Sequence, residues 1–158
     1  MNKFQLKSIG TVKNSNEGTV IELDSEYIPA LEALDGFSHI NVLWWFDGCD
    51  NEMGRNILQV NKPYKNSPEV MGIFATRSPA RPNPIALTAS EIIDIDYEKG
   101  IIRVTFLDAD DATPVLDIKP YTPSLDRVET PKTPEWCREW PKSTETSGCF
   151  DWSKIFNF

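Results

Sequence analysis

IALTASEIIDIDYEKGIIRVTFL, residues 85–107, reads as two extended runs about a turn. Ile85 to Asp96 continues in extended form, and Tyr97-Glu98-Lys99-Gly100 supplies the turn. The return run alternates: Ile102, Val104 and Phe106 on one face, Arg103 and Thr105 on the other, the period-two pattern of a half-buried strand. Together these form a hairpin, and a hairpin here sets a β architecture.

Working outward, Phe4 to Val12 alternates loosely as a first strand, and Thr19 to Leu23 is a second. Ser25 to Leu34 spaces Ile28, Leu31 and Leu34 for a short helix or turn. His39 to Phe46, HINVLWWF, is short and nearly all apolar, as a buried strand is. Its Trp44 and Trp45 point to opposite faces. Glu52 to Leu58 is a short helix and Lys62 to Pro68 a loop. Met71 to Ala75 and Thr113 to Lys119 are further strands, about seven in all, with no βαβ alternation. The fold class is mainly β, a barrel-like single domain with short helices, because closure removes the exposed edges of short strands. After Pro120 the character changes to a Pro-rich C-terminal tail. A short helix fits there, with Thr133 as cap, Pro134 at its first position, and Trp136 and Trp140 one turn apart. The chain divides into a barrel domain, residues 1–125, and a Pro- and aromatic-rich tail, residues 126–158. The ending CFDWSKIFNF needs an apolar partner, its own domain or a second subunit.

The 158 residues are 40% hydrophobic with five Trp and eight Phe, enough for a real core in one domain. No run approaches the length that crosses a bilayer, and the start lacks the apolar core of a secretory signal, so a cytoplasmic, soluble protein is expected. Cys49, Cys137 and Cys149 show no metal spacing, and one histidine makes no His-based zinc site, so no metal is expected. A net charge of −8 lowers the expectation of unaided nucleic-acid binding, although a local basic patch suffices for RNA.

Three constellations bear chemistry. GIFATRSPARPNPIALT, residues 72–88, is a stiff extended loop with Pro79, Pro82 and Pro84, so Arg77 and Arg81 are not a solvated helical pair. Their forks suit carboxylate or phosphate, and Asn83 suits a base edge or carboxylate. Stiffness lowers the ordering cost when a loop meets a ligand. The competing reading is a rigid connector whose arginines pair with surface acids. The second constellation is LDADDATPVLDIKPY, residues 107–121. Asp108, Asp110 and Asp111 are either oxygen ligands for a hard cation or, more simply, solvated turn acids. Asp117 and Lys119 share a strand face, as an ordinary pair or as part of a site. The third is LDGFSHINVLWWF, residues 34–46, where His39 opens the strand as an edge histidine or a functional one.

These blocks, with SIGTVKN at residues 8–14 and ATPVLDIKPYTP at residues 112–123, resemble the TsaA/TrmO-like family, also called YaeB-like. The similarity spans roughly residues 5–125 in order. The resemblance implies a barrel-like domain that binds S-adenosylmethionine, works as a homodimer, and methylates N6 of the threonylcarbamoyl-adenosine beside the tRNA anticodon. By the same resemblance Arg77, Ser78, Pro79, Arg81, Pro82, Asn83 and Leu116 form the cofactor-binding set. His39, Asp117, Lys119 and Tyr121 form the catalytic set. Ala86 and Ala112 stand where the family usually has glycine. Two alternatives keep the same fold: a methyltransferase of a small molecule, and a non-catalytic S-adenosylmethionine-binding protein.

Overall fold

The structure is a computed structural model, and it describes residues 4–158. The chain forms two compact units. One runs to Asp50 and resumes over Pro84–Arg127; the other comprises Asn51–Asn83 and Val128–Phe158. Asn51–Asn83, grouped with the barrel in the sequence reading, thus clusters with the C-terminal segment.

The strands in chain order are β1 (Gly10–Ser15), β2 (Gly18–Leu23), β3 (His39–Trp45), β4 (Gln59–Asn61), β5 (Val70–Gly72), β6 (Ile85–Asp96), β7 (Ile101–Val104) and β8 (Pro114–Pro120). The first unit is a closed barrel in the order β1-β2-β7-β6-β3-β8. All its pairings are antiparallel. Alternation explains the core: Val12, Ile21, Ile40, Val42, Ile102, Val104 and Val115 point inward and are all but fully buried. Burying each such side chain contributes about 1.5–3 kcal/mol. The first half of β6 pairs with β3 and its second half with β7, and the register with β7 shifts between Ile92 and Asp94. Closure depends on a short β1–β8 pairing at Gly10↔Val115 and Thr11↔Pro114. Gly10 is required there, because a Cβ would fall on the Glu22 carbonyl.

Several boundaries differ from the sequence reading. The first strand starts at Gly10, not Phe4, and runs on to Ser15, leaving Phe4 and Leu6 exposed. β7 stops at Val104; Phe106 is exposed and Leu107 is the buried residue. The Phe106 carbonyl accepts the Ser90 hydroxyl. Ser25–Leu31 is a 3-10 helix with Pro29 inside it. Met71–Ala75 divides: β5 ends at Gly72 and Ile73–Ala75 coils into a 3-10 turn.

The second unit pairs β4 with β5 and holds α1 (Glu52–Arg55), capped by the Asn51 side chain on the Gly54 N–H at 2.8 Å. α2 (Pro123–Asp126) closes the first unit's chain, and α3 (Thr144–Gly148) lies in the second. The proposed tail helix is only a 3-10 turn, Glu135–Cys137, with Pro134 at its cap. The aromatic ending finds its apolar partner in its own unit. Tyr64, Met71 and Ile155 are buried, with Trp136, Trp140, Phe150, Trp152 and Phe156 against them. The Tyr64 ring stacks on Trp136 at 5.5 Å and meets Trp140 edge-on at 4.8 Å. Backbone bonds Lys65 N–H to Ile155 carbonyl (2.9 Å) and Asn157 N–H to Pro63 carbonyl (3.1 Å) stitch the two chain pieces. Among the described residues no helix is long and apolar enough to cross a membrane.

Candidate cofactor loop and barrel face

The proline loop belongs to the second unit. It leaves the 3-10 turn at Thr76, whose N–H donates to the Ile73 carbonyl at 3.1 Å. The Thr76 hydroxyl donates to that same carbonyl (2.8 Å) and accepts the Ser78 N–H (3.2 Å). Arg81 folds back over the turn: its Nη2 donates to the Ile73 carbonyl at 3.1 Å and the Thr76 carbonyl at 2.7 Å. The Arg81 Nε is buried with no partner among the described residues. At the far end the Pro82 carbonyl accepts from Arg55 Nη1 at 3.1 Å. Three prolines remove both donors and torsional freedom, so these side-chain bonds give the loop its shape. Arg77 and Asn83 are exposed, and Ser78, Pro79 and Pro82 are half-buried. Burial pushes the Tyr64 phenol up, and the Arg77 backbone N–H and guanidinium pull it partway back. The loop is therefore anchored to the aromatic core as well.

The other residues of interest lie on the first unit. On β3, Ile40, Val42 and Trp44 face the core, so His39, Asn41, Leu43 and Trp45 face outward. Opposite them on β8, Asn41 pairs with Lys119 and Leu43 with Asp117. The Asp117 carboxylate accepts from Lys119 Nζ at 2.6 Å and from the Ile118 N–H at 3.0 Å. The pair is half-exposed, where such bridges contribute little stability. Leu116 falls where the β3–β8 register shifts, and it is half-buried. His39 Nδ1 lies 2.9 Å from the Ser38 hydroxyl. The His39 carbonyl accepts the Tyr121 N–H at 2.9 Å, and the two rings are 6.2 Å apart. His39, Tyr121, Asp117 and Lys119 thus share the outer β3–β8 region.

Sequence reasoning missed Asp126. One of its oxygens accepts from Asn41 Nδ2 at 2.9 Å and the other from the Thr122 N–H at 2.7 Å, tying β3 to the turn after β8. Asn41 and Asp126 lie 85 residues apart, and no spacing motif joins them. Trp44 is core, its indole N–H on the Thr88 hydroxyl at 3.1 Å; Trp45 reaches Asp50 instead, also at 3.1 Å. The acidic turn is tied to β1: the Asp111 carboxylate accepts the Asn14 N–H at 2.9 Å. Among the described residues no cluster of His, Cys, Asp and Glu is placed to hold a metal.

The fold is similar to that of TrmO in crystal structures. The one from Pseudomonas aeruginosa superposes with a TM-score of 0.66 at 24% identity, covering 85% of this chain and 62% of that one. That likeness is one of fold. In sequence, residues 4–127 match the tRNA-methyltransferase O N-terminal domain. An S-adenosyl-L-methionine-binding protein of Archaeoglobus fulgidus is 37% identical, over 78% of this chain and 93% of that protein. The tRNA (adenine(37)-N6)-methyltransferase of Escherichia coli is 35% identical over 72% of this chain, which spans about half (48%) of the bacterial enzyme. The chain belongs to the tRNA-methyltransferase O family.

Proposed function

We propose that this chain binds S-adenosylmethionine and methylates N6 of an adenine in tRNA, the threonylcarbamoyl-adenosine beside the anticodon. One observation carries the reading: the family domain runs over residues 4–127, taking in the proline loop and the β3–β8 residues in one match.

The donor set suits the cofactor. The exposed Arg77 fork matches a carboxylate, and the Asn83 amide offers donor and acceptor to a base edge. The loop is shaped by bonds within the protein, which lowers the ordering cost of binding. When bound, S-adenosylmethionine supplies a methyl group activated by its sulfonium. The residues' main task is to hold the acceptor nitrogen in line with that methyl, a positioning effect of roughly 7–11 kcal/mol. The acceptor amine must also lose a proton. His39 is the acceptor we assign, in the tautomer whose Nδ1–H donates to the Ser38 hydroxyl 2.9 Å away and whose Nε2 keeps its lone pair. Lys119, paired with Asp117 at 2.6 Å, would meet a phosphate of the RNA only by exchanging that carboxylate for it. Homodimer formation and a cytoplasmic location are parts of the same proposal.

A second reading rests on how the relatives are named: the Archaeoglobus protein for S-adenosyl-L-methionine binding, the Escherichia coli enzyme for tRNA methylation. It would bind S-adenosylmethionine without tRNA chemistry, as a binding protein or as a methyltransferase of a small molecule. Nucleoside mass spectrometry of tRNA from a deletion strain, with and without the complementing gene, separates the two. Loss and recovery of the N6-methylated nucleoside supports tRNA as substrate; an unchanged nucleoside profile refutes it. Light scattering at micromolar concentration tests the dimer.

A further inference from the structure

We propose that Arg81 and Arg55 are positioning residues that lock the Thr76–Asn83 loop from its two ends, and that neither holds the cofactor's carboxylate. The inference rests on the reading of this loop as the cofactor loop, and it changes the part Arg81 plays there.

A guanidinium that receives a ligand must present its donors outward. Arg81 turns the Nε–Nη2 side of its guanidinium inward. Both N–H bonds of Nη2 are taken by the protein's own carbonyls, Ile73 at 3.1 Å and Thr76 at 2.7 Å, and Nε is buried. Those two carbonyls bracket the 3-10 turn Ile73–Ala75, which has too few residues to hold itself. The Thr76 hydroxyl adds a third bond at the same corner. The two N–H bonds of Nη2 lie in the guanidinium plane, so one nitrogen reaches both carbonyls in fixed geometry.

Arg55 acts at the other end. It closes α1, which the Asn51 cap fixes, and its Nη1 holds the Pro82 carbonyl at 3.1 Å. Pro82 and Pro84 offer no N–H, so carbonyl bonds are what this stretch has available. Arg55 stands outside every motif singled out in the sequence; its part is visible only in the fold. With both ends held, the segment between them, including Arg77, has few shapes to lose on binding.

The test uses the full chain and the variants Arg55→Ala, Arg55→Lys, Arg81→Ala and Arg81→Lys, with two measurements. Hydrogen exchange at the Thr76 and Ser78 amides reads the lock itself. Both alanine variants should exchange at least tenfold faster there, with barrel amides of β3 and β6 unchanged, and each lysine variant should recover part of the protection. Calorimetry reads the use of the lock, with S-adenosylmethionine and with methylthioadenosine, which lacks the amino-acid carboxylate. Positioning residues lose both ligands by the same factor, about tenfold; a residue that contacts the carboxylate loses only the first. Unchanged exchange in the alanine variants overturns the proposal. So does a loss for S-adenosylmethionine that exceeds the loss for methylthioadenosine by tenfold. Wild-type protein that binds neither ligand refutes the cofactor reading instead, and hydrogen exchange then decides the lock alone. An alanine variant that does not fold passes the decision to its lysine counterpart, whose exchange should lie measurably above wild type.

Discussion

Ala112 holds a backbone that alanine disfavours. Its φ is +64°, in the left-handed region, and its N–H donates to the Val12 carbonyl at 2.8 Å. An L residue with a Cβ pays roughly 1–2 kcal/mol to sit there, and glycine does not. Ala112→Gly should therefore raise unfolding free energy by about 1 kcal/mol, measured by urea denaturation, net of the extra chain entropy glycine loses. Gly100 is the converse case. Its φ is +69°, and a Cβ would come within 2.6 Å of Ile28 Cγ1. Gly100→Ala should lower stability by about 1–3 kcal/mol in the same assay. Arg81 teaches a different lesson at this scale. Its presence in the motif was legible, but its bonding was not, because a sequence does not say which way the Ile73 and Thr76 carbonyls point.

At the scale of elements, the β6–β7 turn carries its own acid sensitivity. The Asp96 carboxylate accepts the Lys99 N–H (3.0 Å) and the Glu98 N–H (3.1 Å), and the Lys99 ammonium lies 3.3 Å away. The Lys99 N–H leads in holding this carboxyl below the usual aspartate value. A depressed folded pKa adds stability that is present above the unfolded value and lost as pH falls through the folded one. Asp96→Ala should thus be less stable at neutral pH, and its melting temperature should fall less than wild type's on acidification below about pH 4. This hairpin was readable because alternation and turn chemistry are both local. The start of β1 was not: pairing with Val115 sets it at Gly10, across most of the barrel's sequence. Phe106 kept the apolar phase of its strand, yet the strand ended two residues earlier, and Leu107 took the core position. The tail helix shrank to a single 3-10 turn, its aromatics held by Tyr64 instead of by helical spacing.

At the scale of the molecule, the aromatic ending supplies Phe150, Trp152, Ile155 and Phe156 to the second unit's core. Removing residues after Thr146 deletes buried Ile155 and the partly buried Phe150, Trp152 and Phe156; full burial of such a side chain contributes about 1.5–3 kcal/mol and partial burial less. The truncated chain should lose near-ultraviolet circular dichroism and bind a hydrophobic dye, while retaining the barrel's far-ultraviolet strand signal. Charge sets a further expectation. Lys62 is bonded to Glu69 at 2.6 Å and Lys65 to the Ser153 carbonyl at 2.8 Å, so these cations are partly committed within an acidic chain. Binding of tRNA should accordingly be seen at low salt and fall with a log–log slope of roughly −0.7 to −0.9 per phosphate contacted, measured by gel shift. The second unit also has a history in time. Its two pieces, Asn51–Asn83 and Val128–Phe158, are separated by half the barrel. At ~5–20 residues per second, Tyr64 waits on the order of 5–20 s of synthesis before Phe156 exists to cover it. β8, the barrel's last strand, ends earlier, at Pro120. In a growing chain Tyr64 is therefore made well before the aromatic residues that cover it, and an uncovered aromatic surface is open to proteases and to other chains. Substitutions at Trp152 or Phe156 should lower the yield of protein in cells more than they lower the melting temperature of the molecules that survive.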